Sequence, residues 1–126
     1  MKICITAQKD GLDSPVDPRF GRCQYFAVAD TETSDLEFLE NSNKDGMGGV
    51  GIQSSQFILG KGVQAVVTGN VGPNAFQTLQ AAGIEVFTGA AGTVAEVLEK
   101  FKRGEFKSVN GPSVEAKHGG SENTEI

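Results

Sequence analysis

The chain has 126 residues, enough for one domain with a single modest core. It is 38% hydrophobic with 17 glycines, which is globular but rich in turns. A net charge of −5 and the lack of a basic run argue against nucleic acid as a partner, because neutralising phosphates supplies most of that affinity. Met1 to Ala7 reads as a first, buried strand. Its apolar run, Ile3 to Ala7, is broken by Gln8-Lys9-Asp10 and is too short for a signal peptide or a membrane span. That predicts a cytoplasmic protein with reduced thiols. Gln8 to Arg22 is a long polar loop holding Pro15, Pro18 and the run Arg19-Phe20-Gly21-Arg22. A structureless loop of that length in a small domain usually serves a function.

Tyr25 to Asp30 and Leu36 to Glu40 flank a polar turn and read as a hairpin. After the polar stretch Asn41 to Asp45, the cluster Gly46-Met47-Gly48-Gly49-Val50-Gly51 opens a helix that ends near Gly60. Val50, Ser54, Phe57 and Ile58 share one face of it. Val63 to Phe87 then reads as a strand–helix–strand unit. Ala65-Val66-Val67 is apolar without alternation, and Gly69-Asn70-Val71-Gly72-Pro73 breaks the chain. Ala75, Phe76, Leu79 and Ala82 form a helical stripe, Gly83 stops it, and Ile84 to Phe87 returns. A right-handed crossover makes those two strands parallel. Thr88 to Thr93 is another glycine-rich turn. Thr93 and Glu96 fit a capping box for a last helix carrying Val94, Val97, Leu98 and Phe101, which Gly104 ends. The polar residues 107–126 read as a disordered tail after a domain of residues 1–106. The element order is βββαβαβα, an α/β chain with predicted strand order 3-2-1-4-5 and strand two antiparallel to strand one. The long and glycine-rich loops, except the hairpin turn, gather at one end of such a sheet, where open α/β sheets take ligands.

Gly46-x-Gly48-x-x-Gly51 matches a dinucleotide fingerprint in spelling only. Five polar residues separate it from the strand before it, and the acid expected about twenty residues on is replaced by Asn70. No Walker phosphate loop is present. The sole histidine, His118, lies in the tail, which excludes a Ser-His-Asp set. Cys4 sits mid-strand and reads as a core residue. Cys23 ends the long loop beside Arg22, and a neighbouring cation lowers a thiol's pKa; it is either a reactive thiol or a structural one. A Cys4–Cys23 disulfide is not expected, because pairing of the first two strands places Cys4 near Ala27. Arg19 and Arg22 are either solvated or an anion clamp. Met47 is either a gap filler or a soft ligand for sulfide or copper-like metals.

The opening strand MKICITA, the loop DSPVDPRFGRCQYF, the segment GGVGIQSSQFILGKGVQAVVTGNVGPNAF and the segment AAGIEVFTGAAGTVAEVLEKF together resemble the dinitrogenase iron–molybdenum cofactor-binding family. The resemblance implies a three-layer α/β/α, ribonuclease H-like fold with a five-stranded mixed sheet. It also implies binding of an iron–sulfur or iron–molybdenum cluster without catalysis, as a monomer or weak dimer, with cluster-assembly proteins as partners. Ribonuclease activity is not implied, since the first strand carries Cys4 and Thr6 where nucleases of this fold place an aspartate. Some members carry histidine where this chain has Arg19 and Met47, or a histidine-rich tail where it has His118 alone. On this basis the turns at Gly48, Gly49 and Asn70, and from Gly89 to Gly92, are expected to donate N–H groups to sulfides. Arg19 and Arg22 offset charge, and Cys23 ligates metal, with Met47 as a second soft ligand. The alternatives are an enzyme binding a phosphorylated small molecule at the same edge, and a module that docks onto cluster-assembly machinery.

Overall fold

A computed structural model describes residues 1–113 of the chain. Its elements are β1 (Lys2–Ala7), β2 (Tyr25–Asp30), β3 (Leu36–Glu40), α1 (Val50–Leu59), β4 (Ala65–Val67), α2 (Pro73–Ala81), β5 (Glu85–Phe87) and α3 (Val94–Lys102). The five strands form one sheet in the order β3-β2-β1-β4-β5. β1 pairs parallel to β4, β4 parallel to β5, and β2 antiparallel to both β1 and β3. Only β2 therefore runs against the rest, as the element order predicts. Among the described residues no helix is long and apolar enough to cross a membrane.

β1 is central and buried from Ile3 to Ala7, because helices cover both faces of the sheet. Alternation along the strands sends side chains to two separate cores. Cys4, Phe26, Val28, Val66 and Val86 join Ile58 of α1 and Ala75, Phe76 and Leu79 of α2 on one face. Ile3, Ile5, Ala27, Ala65, Val67 and Phe87 join Val94 and Val97 of α3 on the other. The result is three layers, with α1 and α2 opposite α3. Phe87 meets Phe101 edge-on at 5.2 Å, while Leu98 and Phe101 are only partly buried on the rim of that layer. Cys4 faces Val28 in the register, one residue from the expected Ala27, and both cysteines are free.

The tail departs from expectation. Ser108 bridges Phe87 in antiparallel fashion, and Val109 N–H donates to the Val86 carbonyl at 2.8 Å. Val109 also packs against the α1/α2 core. Ser108 and Val109 thus cover the open edge of β5, where an uncovered strand would leave a row of backbone groups unpaired. The rest of the predicted tail, residues 114–126 with His118, lies outside the described residues.

Candidate functional site: an anion cleft at two helix starts

The loop from Gln8 to Gln24 serves both faces of the sheet. Its first half wraps the start of α3. There Val94 N–H donates to the Ser14 carbonyl at 2.9 Å and Ala95 N–H to the Leu12 carbonyl at 3.0 Å. Thr93 and Glu96 complete the capping box, with both reciprocal bonds present. The start of α3 is thereby filled by the chain itself.

The starts of α1 and α2 are different. Neither has a side-chain cap or an acidic residue in its first turn. Among the described residues, the N–H groups of Val50, Gly51 and Ile52 in α1, and of Asn74 and Ala75 in α2, have no hydrogen-bond acceptor. Both helix starts open onto one cleft of about 450 Å³. Its walls are Pro18 to Arg22 from the long loop, Gly48 to Ile52 from the start of α1, and Asn70, Gly72 and Asn74 from the turn into α2. Each helix start carries roughly half a positive charge, and Arg19 and Arg22 add full ones. Among the described residues, no carboxylate, thiol or imidazole lines the cleft.

Close backbone contacts bring these walls together. A Cβ added to Gly69 would lie 2.7 Å from the Pro18 Cα, and one on Gly51 3.0 Å from the Ala75 Cβ. At Gly69 the loop and the turn are joined as adjacent strands are. Asn70 N–H donates to the Pro18 carbonyl at 2.8 Å, and Phe20 N–H donates to the Asn70 carbonyl at 3.2 Å. Buried Asn41 holds the floor, donating at 2.9 Å to the carbonyls of Gly21 and Cys23. Ser54 Oγ from α1 also donates to the Gly21 carbonyl.

The sequence-predicted residues divide. Arg19, Arg22, Gly48, Gly49 and Asn70 come together in the cleft. The Asn70 N–H is taken by Pro18, so only its exposed side chain is free to face a ligand. Met47 is fully exposed beside Gly48 on the rim and fills no gap. Gly89 and Gly92 are not in the cleft. Gly89 N–H donates to the Gly69 carbonyl, and Gly92 lies on the α3 side, its carbonyl accepting from Val16 N–H.

Cys23 is the main correction. It is fully buried in the α1/α2 core together with Phe20 and Phe26, and does not line the cleft. Burial pushes its thiol well above the ordinary range, and the Asp17 carboxylate adds to this; hydrogen bonds with Asn41 and its own backbone, and the Arg19 charge, oppose it and are outweighed. The expected activation by Arg22 is missing because that guanidinium turns outward and donates to the Lys44 carbonyl at 2.9 Å. Gly51, Gly72 and Asn74 of the cleft, and Asp17 beneath Arg19, were not assigned to the site from sequence. The available signals were the last glycine of the Gly46–Gly51 cluster, the uncapped Gly72-Pro73 start and the Asp17-x-Arg19 spacing.

Residues 1–104 match the protein family described as dinitrogenase iron-molybdenum cofactor. The apo form of the orange protein from Desulfovibrio gigas superposes with a TM-score of 0.87 at 39% identity, over 90% of this chain and 96% of that one. A putative NifB protein from Thermotoga superposes with a TM-score of 0.76 at 37% identity, over 85% of this chain and 91% of that one. An uncharacterized protein of Methanocaldococcus jannaschii is 31% identical over 110 residues, covering 85% of this chain and 90% of its own length. With its sheet, helix order and cleft loops all inside the matched segment, the chain belongs to the dinitrogenase iron–molybdenum cofactor family.

Proposed function

We propose that this protein binds and carries an anionic metal–sulfur cluster, of iron–sulfur or iron–molybdenum type, without transforming it. The observation that carries the reading is the convergence of two uncapped helix starts and two arginines on one cleft lined by donors and apolar groups. A cluster whose metals are bridged by sulfide is large, soft and negative. It gains from N–H donors and from Ile52, Phe20 and Val50 on the walls. The walls formed by the described residues offer N–H donors, guanidinium groups and apolar surface, so they hold a cluster that brings its own ligand shell by shape, hydrogen bonds and charge. Met47, fully exposed and next in sequence to Gly48 of the cleft wall, supplies a soft side chain at its edge. Membership of a family named for the iron–molybdenum cofactor supports a partner among cluster-assembly proteins, and two free cysteines are in keeping with residence in the reducing cytoplasm. The strand order with β2 alone reversed supports the ribonuclease H-like assignment.

The test is anaerobic purification with metal and sulfide analysis, together with titration of the apo protein with tetrathiomolybdate followed by absorbance. Coloured protein, or saturable binding that Cys23→Ser leaves intact, is the expected result. Colourless protein that binds phosphate esters but no thiometallate would replace the carrier with a protein that takes phosphorylated small molecules.

A further inference from the structure

We propose that Asp17 is a positioning residue of the cleft, whose carboxylate aims the Arg19 guanidinium at the bound anion. The inference rests on the anion-cleft reading above. The Asp17 side chain is 2% exposed, yet its ion-pair partner Arg19 is 58% exposed on the cleft wall. Asp17 Oδ1 accepts from the Arg19 backbone N–H at 3.0 Å and from Nε at 3.2 Å, and Oδ2 accepts from Nη2 at 3.3 Å. Both carboxylate oxygens are therefore committed to one arginine. A half-exposed ion pair contributes little to stability, and burying a carboxylate is costly, so folding alone does not explain this arrangement.

The carboxylate is mounted on the rigid centre of the sheet. Asp17 N–H donates to the Thr6 carbonyl at 2.9 Å, and the Asp17 carbonyl accepts from Thr6 Oγ1 at 2.6 Å. Thr6 Oγ1 lies 2.7 Å from Thr68 Oγ1. The single Thr6 hydroxyl proton goes to Asp17, so Thr68 is the donor of that pair. Thr6 is in β1 and Thr68 follows β4, and both are fully buried. The loop residue that orients Arg19 is thus tied to the two central parallel strands.

A guanidinium has five N–H bonds in one plane. Asp17 takes the Nε bond and one Nη2 bond. Three remain, two on Nη1 and one on Nη2, on the edge facing away from the carboxylate. Arg19 stands between the cleft and a second, shallower cavity of about 570 Å³ lined by Gln8, Asp17, Pro18 and Gln24. Tethering on the Asp17 side turns the free edge toward the cleft.

Simple electrostatics makes the opposite forecast, which gives the test its force. A carboxylate beside an anion site repels the anion, so removing it should tighten binding. If Asp17 positions Arg19, removing it weakens binding although the local charge rises by one. Asp17→Asn is the decisive variant, because asparagine Oδ1 still accepts the Arg19 backbone N–H while the second acceptor oxygen and the charge are lost. Arg19→Lys is the second variant; it keeps both charges and removes the planar fork.

The full chain, both variants and the double variant are titrated with tetrathiomolybdate and with inorganic phosphate at low and high salt. Asp17→Asn is expected to weaken binding about tenfold, in line with loss of a charge-assisted hydrogen bond, and to steepen its salt dependence. Arg19→Lys should lose a similar factor, and the double variant no more than either alone. In the ligand-free wild type, the Arg19 Nε–H should exchange slowly by NMR, and this protection should vanish in Asp17→Asn while the Arg22 signal stays put. Binding by Asp17→Asn equal to or tighter than wild type, or Arg19→Lys binding at full strength, overturns this inference alone. A wild-type protein that binds neither probe removes the cleft reading and this inference with it.

Discussion

Gly69→Ala probes the joint on which the cleft depends. The new Cβ would sit 2.7 Å from the Pro18 Cα and 3.0 Å from the Pro18 carbonyl oxygen. Carbon atoms in contact prefer about 3.5–4.0 Å, so the two backbones must part by about 1 Å. The Asn70 N–H to Pro18 carbonyl bond, 2.8 Å in length, then stretches beyond hydrogen-bonding range, and the Phe20 N–H to Asn70 carbonyl bond goes with it. Overpacking costs about 1–3 kcal/mol, and each lost bond about 0.5–1.5 kcal/mol. A total of about 2–6 kcal/mol corresponds to a fall of about 8–24 °C in Tm for a domain of this size. Urea denaturation gives the free energy, and a tetrathiomolybdate titration of the same samples gives the cleft's response, which should weaken as Arg19 moves off. Gly48→Ala is the control, since a Cβ there meets nothing within 4 Å; its stability should stay within about 0.5 kcal/mol of wild type. If Gly69→Ala were equally silent, the close approach of loop and turn would be refuted.

Four further outcomes test other parts of the structure. Both thiols are buried with pKa values raised above the model-compound value of 9.0, chiefly by burial. The unfolded chain therefore loses those protons first as pH rises. The stability they confer is intact below pH 9 and drains away above it by up to about 1.4 kcal/mol per pH unit for each thiol, so Cys23→Ala should flatten the alkaline limb of a stability–pH curve. A thiol reagent should label neither cysteine in the native protein, and fast labelling of Cys23 would place it at the surface after all. Ser113→Ala removes the Oγ that accepts from the buried Val71 N–H at 2.7 Å; it should cost about 1–3 kcal/mol in urea, and no loss would mean that Ser113 does not cap the turn into α2. Arg22→Ala should weaken anion binding at low salt and much less at high salt, because an exposed charge is screened over about 8–10 Å; equal effects at both would rule out a charge contribution.

The amino-acid sequence by itself determined the elements, their order and the order of strands. Those features rest on local periodicity and on the right-handed βαβ crossover, which need no knowledge of distant contacts. Thr93 and Glu96 announced the start of α3 in the same way, since a capping box is complete within four residues. Most of the cleft was legible too, because loops at the carboxyl ends of parallel strands converge whatever their composition. Tertiary structure alone decided three matters. Gly89 and Gly92 share that edge with Arg19 and Asn70, but the Gly89 N–H is taken by the Gly69 carbonyl and the placement of α3 opposite α1 and α2 puts Gly92 on the other face. Residues 107–113 look polar and free, yet their role is carried by backbone bonds to β5 and Val71, and backbone hydrogen bonds leave no mark in composition. Cys23 neighbours a cation in sequence, but Asn41 and Ser54 fold its loop inward, so Phe20 and Cys23 enter the core while Arg19 and Arg22 turn out. Which residues of a long loop point inward is decided by acceptors and cavities supplied from elsewhere in the chain, and a sequence neighbour says nothing about those.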